Sequence, residues 1–372
     1  MEIKMTNKWM SKLTNDFGIL AADMPEPTDS VIEMPSPSLN YCVGNGGIIE
    51  GKAVCFFGPE SSGKSLIMQL VMAEIQRKDP EAICMLFDAE YSFNKDWFRK
   101  LGGDNSRLVV RQSNNPIKIF DYMENEVLEM LQDGMPLKAI AIDSVKSIRY
   151  PGDHKAKTTD ITMGGSGAKY LGPALKGLLP IIREHSITTL LVQQVYEELD
   201  QYKAMNNPYK LPDGRALKHF CDYMLQVEKL ETKAGRIEEG KTMSGSANQI
   251  GHVVRVKAKK NRCGAPYRVA EFNLEYENGI VDVANELYKL AKSLGIIFHP
   301  ISDSTGKPSN AMWQFGNHDK IKGEDNMIKW VAANKYIQDE IYSAILSVGV
   351  EADEARNKSI KDTNVNINLD EL

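Results

Sequence analysis

The chain has 372 residues, 42% of them apolar, with a formal charge of −5. That is enough to bury a full core and form two or three domains. The apolar stretches reach only about five residues, far short of a membrane span, and Lys4, Lys8, Lys12 and Asp16 interrupt the first twenty residues. No signal-peptide pattern is present, which points to a cytoplasmic protein.

In chain order, Trp9, Met10, Leu13 and Phe17 predict a short amphipathic helix over residues 6–20, suited to its own core or to a neighbouring subunit. Pro25, Pro27, Pro35 and Pro37 predict an extended linker over 25–37. Short apolar strands then alternate with helical segments to about residue 285, the pattern of an α/β domain with a mostly parallel sheet. The strand candidates are Ala53–Phe57, Ile83–Phe87, Leu108–Arg111, Ala139–Ile142, Thr188–Val192, Tyr223–Val227, Val253–Ala258 and Glu271–Glu275. The later ones are expected to form antiparallel hairpins. Residues 283–294 predict a helix, and with Met327–Val350 they form a small C-terminal domain. The five cysteines (Cys42, Cys55, Cys84, Cys221, Cys263) are scattered and never spaced as C-x-x-C, which reads as idle thiols in a reducing compartment.

The chemistry begins at residues 58–65: Gly58, Pro59, Glu60, Ser61, Ser62, Gly63, Lys64 and Ser65 make a complete G-x-x-x-x-G-K-[ST] loop between a strand and a helix. Such a loop turns backbone N–H groups onto phosphate oxygens at a helix N-terminus. Lys64 would reach the outer phosphates of a nucleoside triphosphate, and the Ser65 hydroxyl would ligate Mg²⁺. Asp143 ends the apolar strand Ala139–Ile142, the Walker-B position for holding Mg²⁺, although a strand-end Asp can also cap a turn. Glu90 follows Phe87-Asp88-Ala89 at another strand end, where it is either a general base for water or a solvated loop carboxylate. Gln193 and Gln194 end a third strand; neutral amides cannot act as bases, but they can sense a γ-phosphate and release it.

Two long polar segments, roughly 150–169 and 195–216, follow Asp143 and Gln194 at the same sheet edge, and loops of that length are functional or disordered. They offer Lys155, Lys157 and Lys169, then Lys203, Lys210, Arg215 and Lys218, with main-chain amides at Gly164, Gly165 and Gly167. Arg255, Lys257, Lys259, Lys260, Arg262 and Arg268 form an acid-free basic run over 252–268, and acids predominate after Glu351. A basic ridge with an acidic tail fits a polyanion binder or an ordinary solvated surface.

The ordered set of the phosphate loop, Phe-Asp-Ala-Glu at 87–90, Ile-Asp-Ser-Val at 142–145, Val-Gln-Gln-Val at 192–195, the segment 214–220 and the segment from Val256 to Phe272 resembles the RecA-type DNA strand-exchange recombinases over roughly 36–345. The resemblance implies a RecA-like P-loop ATPase core at 36–282. It would follow an N-terminal oligomerisation segment and linker at 1–35, with a small α/β C-terminal domain at 283–350 and an acidic, disordered tail at 351–372. It implies an ATP- and Mg²⁺-dependent filament on single-stranded DNA that pairs with homologous double-stranded DNA, served by single-stranded-DNA-binding and mediator proteins. Glu90 would activate water and Gln194 would sense the γ-phosphate. Lys260 and Arg262 match two lysines that reach a neighbour's γ-phosphate in trans. Asn94 matches an acid that touches the base, and Trp97 a tyrosine stacked on adenine.

Departures stand out. Arg262 replaces a lysine with a two-pronged group, and Glu197, Glu198 and Asp200 open the second DNA segment. Tyr202 and Met205 are the candidates for an apolar wedge between bases. These differences suggest a distant branch, such as the bacteriophage recombinases of the UvsX type. Competing readings are a RecA-fold ATPase of another class (a ring helicase or regulatory ATPase) and a filament protein that binds ATP without turnover.

Overall fold

The computed structural model describes residues 30–149, 166–197, 209–212, 214–241, 247–301 and 306–365. Two short strands, β1 (Val31–Ile32) and β2 (Ile48–Ile49), pair antiparallel on either side of helix α1 (Pro37–Val43). Within the predicted linker, residues 31–32 thus form a paired strand and Pro37 opens a helix. Ser36 caps α1 by accepting from Leu39 N, Pro37 supplies the first turn, and Ile32 and Met34 are buried. A capping serine followed by proline starts a helix because neither position needs an intrahelical N–H partner.

The core sheet starts with β3 (Ala53–Gly58), which leads into α2 (Lys64–Lys78). Then come β4 (Ile83–Asp88), α3 (Lys95–Lys100) and β5 (Leu108–Gln112). Helix α4 (Pro116–Tyr122) continues through a π-helical turn at Met123–Val127 into α5 (Leu128–Gln132), and β6 (Leu137–Asp143) follows. After α6 (Ser166–Glu184) comes β7 (Thr188–Gln194). Two short strands, β8 (Tyr196–Glu197) and β9 (Tyr209–Lys210), pair antiparallel, and α7 (Gly214–Phe220) precedes β10 (Tyr223–Lys229). Strands β10, β3, β7, β6, β4 and β5 are parallel, in that spatial order. The inner ones read as continuous apolar runs because helices cover both faces.

Antiparallel strands extend the sheet beyond β10: β11 (Arg236–Lys241), β12 (Ala247–Asn261), β13 (Val269–Glu275) and β14 (Gly279–Val281). The predicted hairpins are thus present, but β12 is far longer than Val253–Ala258. Its polar ends keep pairing after the apolar alternation stops.

A separate small core follows. Helices α8 (Val283–Ser293), α9 (Glu324–Ala333) and α10 (Lys335–Val365) pack with a three-stranded antiparallel sheet of β15 (Ile297–Phe298), β16 (Met312–Phe315) and β17 (Ile321–Lys322). Leu287, Tyr288, Trp313, Phe315, Met327 and Ile341 fill it. Glu286 joins this unit to the main core by accepting from Ser36 Oγ and Ser38 N, both at 2.7 Å. The expected disordered tail is helical as far as Val365, because α10 runs on past residue 351. Among the described residues, no helix is long and apolar enough to cross a membrane.

Candidate functional site

Strand β3 is buried throughout and ends at Gly58, where a Cβ would stand 2.0 Å from the Val227 carbonyl oxygen. Only glycine lets β3 and β10 approach this closely. Pro59 is half-buried, while Glu60 and Ser61 are exposed at the turn. Gly63 has φ +97° and precedes α2 with no side-chain cap. The first amides of α2 therefore face the loop without a capping oxygen, the arrangement that receives an anion. Lys64 is buried and folds back onto the Pro59 carbonyl and towards Ser62 Oγ. Burial lowers its pKa to about 8, against the pull of Asp143, Glu90 and Glu60.

Strands β4 and β6 pair in parallel and bring Asp88 opposite Asp143. The Asp88 carboxylate is occupied: it accepts from Ser92 N (3.1 Å), Phe93 N (3.0 Å) and Gln112 Nε2 (3.0 Å), which shapes the loop after β4. Asp143 differs. Its Oδ1 is buried with no hydrogen-bond partner among the described residues, and the Ser65 hydroxyl is close enough to its carboxylate to favour the charged form. Burial pushes its pKa up to about 6, with Glu90 and Asp88 adding to the rise. A partnerless buried carboxylate oxygen beside a hydroxyl is a hard-oxygen pair of the kind Mg²⁺ takes, so Ser65 and Asp143 fit the metal.

Glu90 lies across the phosphate end from Lys64. Its Oε1 accepts from Ser144 Oγ (2.5 Å), Ser147 Oγ (3.2 Å) and Gln194 Nε2 (3.0 Å). The two residues predicted from separate strands are thus bonded to each other. Gln194 Oε1 in turn accepts from Lys146 Nζ at 3.0 Å. Lys146 and Ser147 carry no signal in the sequence, because they follow the Ile-Asp-Ser-Val motif in a turn with no motif of its own.

A cleft of about 380 Å³ extends from the loop, with Trp97, Phe93, Leu274, Tyr276 and His252 in its walls. Trp97 is where a base-stacking ring is expected. Asn94 Oδ1 accepts from Asp96 N (2.9 Å) and Trp97 N (3.1 Å), capping α3. His252 was also missed. Both of its ring nitrogens are buried without a partner among the described residues, its ring lies 5.7 Å from that of Tyr276, and burial lowers its pKa to about 4. It shares the core-facing side of β12 with Val254, Val256 and Ala258, so a histidine in an apolar register was the available signal.

Lys260 and Arg262 stand elsewhere. Tyr223 pairs with both Val54 and Asn261, which sets the end of β12 level with the start of β3. Ala53 to Gly58 covers about 16 Å at about 3.3 Å per residue, so the pair occupies the sheet edge opposite the phosphate loop. Lys260 Nζ donates to the carbonyls of Lys218 and Cys221, and Arg262 Nη2 to that of His219 at 3.2 Å, closing the C-terminal end of α7.

The RecA N-terminal domain family model matches residues 8–281. The chain belongs to the RecA family. Curated relatives agree: it is 27% identical to "Protein RecA" of Tropheryma whipplei over 86% of this chain and 66% of that protein. It is 26% identical to "Protein RecA" of Rhodopirellula baltica over 95% and 88%, and 28% identical to that of Chlorobaculum tepidum over 91% of each. It is therefore a RecA-type recombination protein with a RecA-like core, at some distance from these bacterial relatives.

Within that family frame, Lys155, Lys157, Gly164, Gly165 and Lys203, together with the wedge candidates Tyr202 and Met205, lie outside the described residues. Lys169 falls near the start of α6, Lys210 is exposed on β9, and Arg215 and Lys218 are exposed on α7, with Lys218 beside Lys260 at the edge opposite the phosphate loop rather than at the expected nucleotide edge. The basic run at 252–268 is not a free cationic ridge. Arg255 pairs with Glu271 (2.5 Å), Lys257 with Glu228 (3.0 Å), and Arg268 donates to the Tyr41 and Gly349 carbonyls.

Proposed function

We propose that this recombination protein binds ATP in the cleft and assembles as a filament on single-stranded DNA. It hydrolyses ATP there and pairs the bound strand with homologous double-stranded DNA. Backbone amides of the loop 58–65 and Lys64 would hold the phosphates, with Trp97, His252 and Tyr276 around the base. Ser65 and Asp143 would hold Mg²⁺, which neutralises charge on the phosphates when bound.

Glu90 would take a proton from water. Its three hydrogen bonds converge on Oε1, and among the described residues none falls on Oε2, which is left to meet the water. Gln194 would report the γ-phosphate to the segment that begins at its own strand end. Lys260 and Arg262 would complete the site of the next subunit, since they cannot reach the loop of their own chain. DNA contacts through Lys155, Lys157, Gly164, Gly165, Lys169, Lys203, Lys210, Arg215 and Lys218 would go to phosphates, leaving base edges free for pairing. Single-stranded-DNA-binding and mediator proteins of the cytoplasm are the expected helpers.

The observation that supports this reading best is the separation of the two cationic groups: Lys64 at one sheet edge, Lys260 and Arg262 at the other. A site split this way works only between copies arranged head to tail, and such an interface propagates. Negative-stain imaging with single-stranded DNA tests it. Extended filaments with a slowly hydrolysed ATP analogue, and not with ADP, are expected. Closed rings or isolated particles in both would favour the ring-helicase class instead.

A further inference from the structure

Lys146 sits in the turn after β6, in none of the motifs discussed above. Its ammonium makes two contacts with one stretch of chain. It donates to Gln194 Oε1 at 3.0 Å, and it lies 4.6 Å from the centroid of the Tyr196 ring. Gln194 is the last residue of β7, and Tyr196 begins β8, the strand that enters the segment towards β9. The opposite face of the Gln194 amide donates to Glu90.

A lysine offers only donors, so it fixes the Gln194 oxygen on its own side and the amide N–H₂ on the side of Glu90. The same charge attracts the negative face of the tyrosine ring. An uncharged side chain of equal length would do neither. We infer that Lys146 is a positioning residue that couples the phosphate end of the cleft to the chain leaving β7, by holding the Gln194 carboxamide and the Tyr196 ring on one ammonium.

The inference rests on the nucleotide reading of the cleft. The charge of Lys146 already acts on Lys64. A triphosphate brings anionic oxygens to that end, and they compete for the ammonium with a neutral amide oxygen, because charge-assisted hydrogen bonds are stronger. When the ammonium turns to the anion, Gln194 and Tyr196 lose their common partner together. Occupancy of the cleft then becomes a change of environment at Tyr196. A diphosphate is one phosphate shorter and leaves the contact in place.

The test uses the full chain carrying Tyr196→Trp, without DNA. Its tryptophan emission is read against the unsubstituted protein, so that Trp9, Trp97, Trp313 and Trp330 cancel. Calorimetry fixes saturation by a slowly hydrolysed ATP analogue with Mg²⁺, and by ADP. The analogue, and not ADP, is expected to change the emission of the residue at 196. Adding Lys146→Arg should keep that change, because charge and ring contact survive, and adding Lys146→Met should remove it at saturation. A change that persists with Lys146→Met, or a saturated parent with no change, overturns the coupling and leaves the nucleotide reading standing. A parent that fails to bind the analogue sinks both.

Discussion

The two edges of the central sheet carry similar residues in opposite states. At the edge where β3 starts, Asp222 is buried and its carboxylate is fully used: Oδ2 accepts from Ala53 N (2.9 Å) and Arg183 Nη2 (2.7 Å), and Arg262 lies 3.7 Å from Oδ1. At the edge where β3 ends, Asp143 is equally buried, yet among the described residues Oδ1 has no partner, and the imidazole nitrogens of His252 and the Gln69 Oε1 are also unsatisfied. Buried polar atoms are ordinarily hydrogen-bonded because an unmade bond costs about 1–3 kcal/mol. Asp222 is spent on holding the fold, whereas Asp143 keeps an oxygen for something that arrives.

The largest expected effect is on the open edge. Lys64→Ala should abolish ATP hydrolysis in a steady-state assay while the circular dichroism spectrum stays unchanged; full turnover would remove the phosphate loop from the account. Next comes Glu90→Gln, which keeps the hydrogen bonds to the carboxamide oxygen but removes the base. Turnover should fall by about 10²–10⁴-fold with nucleotide affinity retained, and a smaller drop would return Glu90 to the role of a loop carboxylate.

The closed edge should respond in stability instead. Asp222→Ala leaves Arg183 and Ala53 N without their acceptor. It should lower the unfolding free energy by roughly 2–4 kcal/mol in denaturant titrations, below the full buried-pair range because Arg183 is partly exposed. Asp143→Asn should act with the opposite sign on the nucleotide-free protein, stabilising it by about 1–3 kcal/mol while hydrolysis is lost.

The pH dependence of that last variant follows from the sign of the shift. The Asp143 carboxyl is raised from 3.8 to about 6, so the folded state holds its proton more tightly than the unfolded state. Stability is lost as pH rises from about 4 to about 6, and the cost is complete above that. The advantage of Asp143→Asn should therefore be full at pH 7–8, shrink below 6 and vanish near 4. A gap that does not change with pH would show that the carboxylate is not strained by burial.

The open edge was partly legible in the sequence because its residues come in local runs. The phosphate loop, Asp143, Glu90 and Gln194 each end an apolar strand, and parallel pairing puts strand ends together. The sheet itself was readable for the same reason. Lys146, His252 and Tyr276 were not, since each reaches the site through a turn or through the register of β12 on β13, which no short motif encodes. Asn94 has a structural role that the family likeness does not suggest, because a side chain that could touch a base is also a strong helix N-cap. Ser36-Pro37 was a helix start hidden among prolines that looked like a linker, and Arg255, Lys257 and Arg268 of the basic run are held by Glu271, Glu228 and the Tyr41 and Gly349 carbonyls.

On this reading the nucleotide site is complete only between two copies, and mixing two inactive variants checks it. One variant carries Lys64→Ala, the other Lys260→Ala with Arg262→Ala, and each alone should be inactive with single-stranded DNA and ATP. Mixed in equal amounts, they should regain hydrolysis, since about one interface in four then joins an intact loop to an intact pair of trans residues. A mixture as inactive as its components would contradict the claim and place Lys260 and Arg262 in the fold alone.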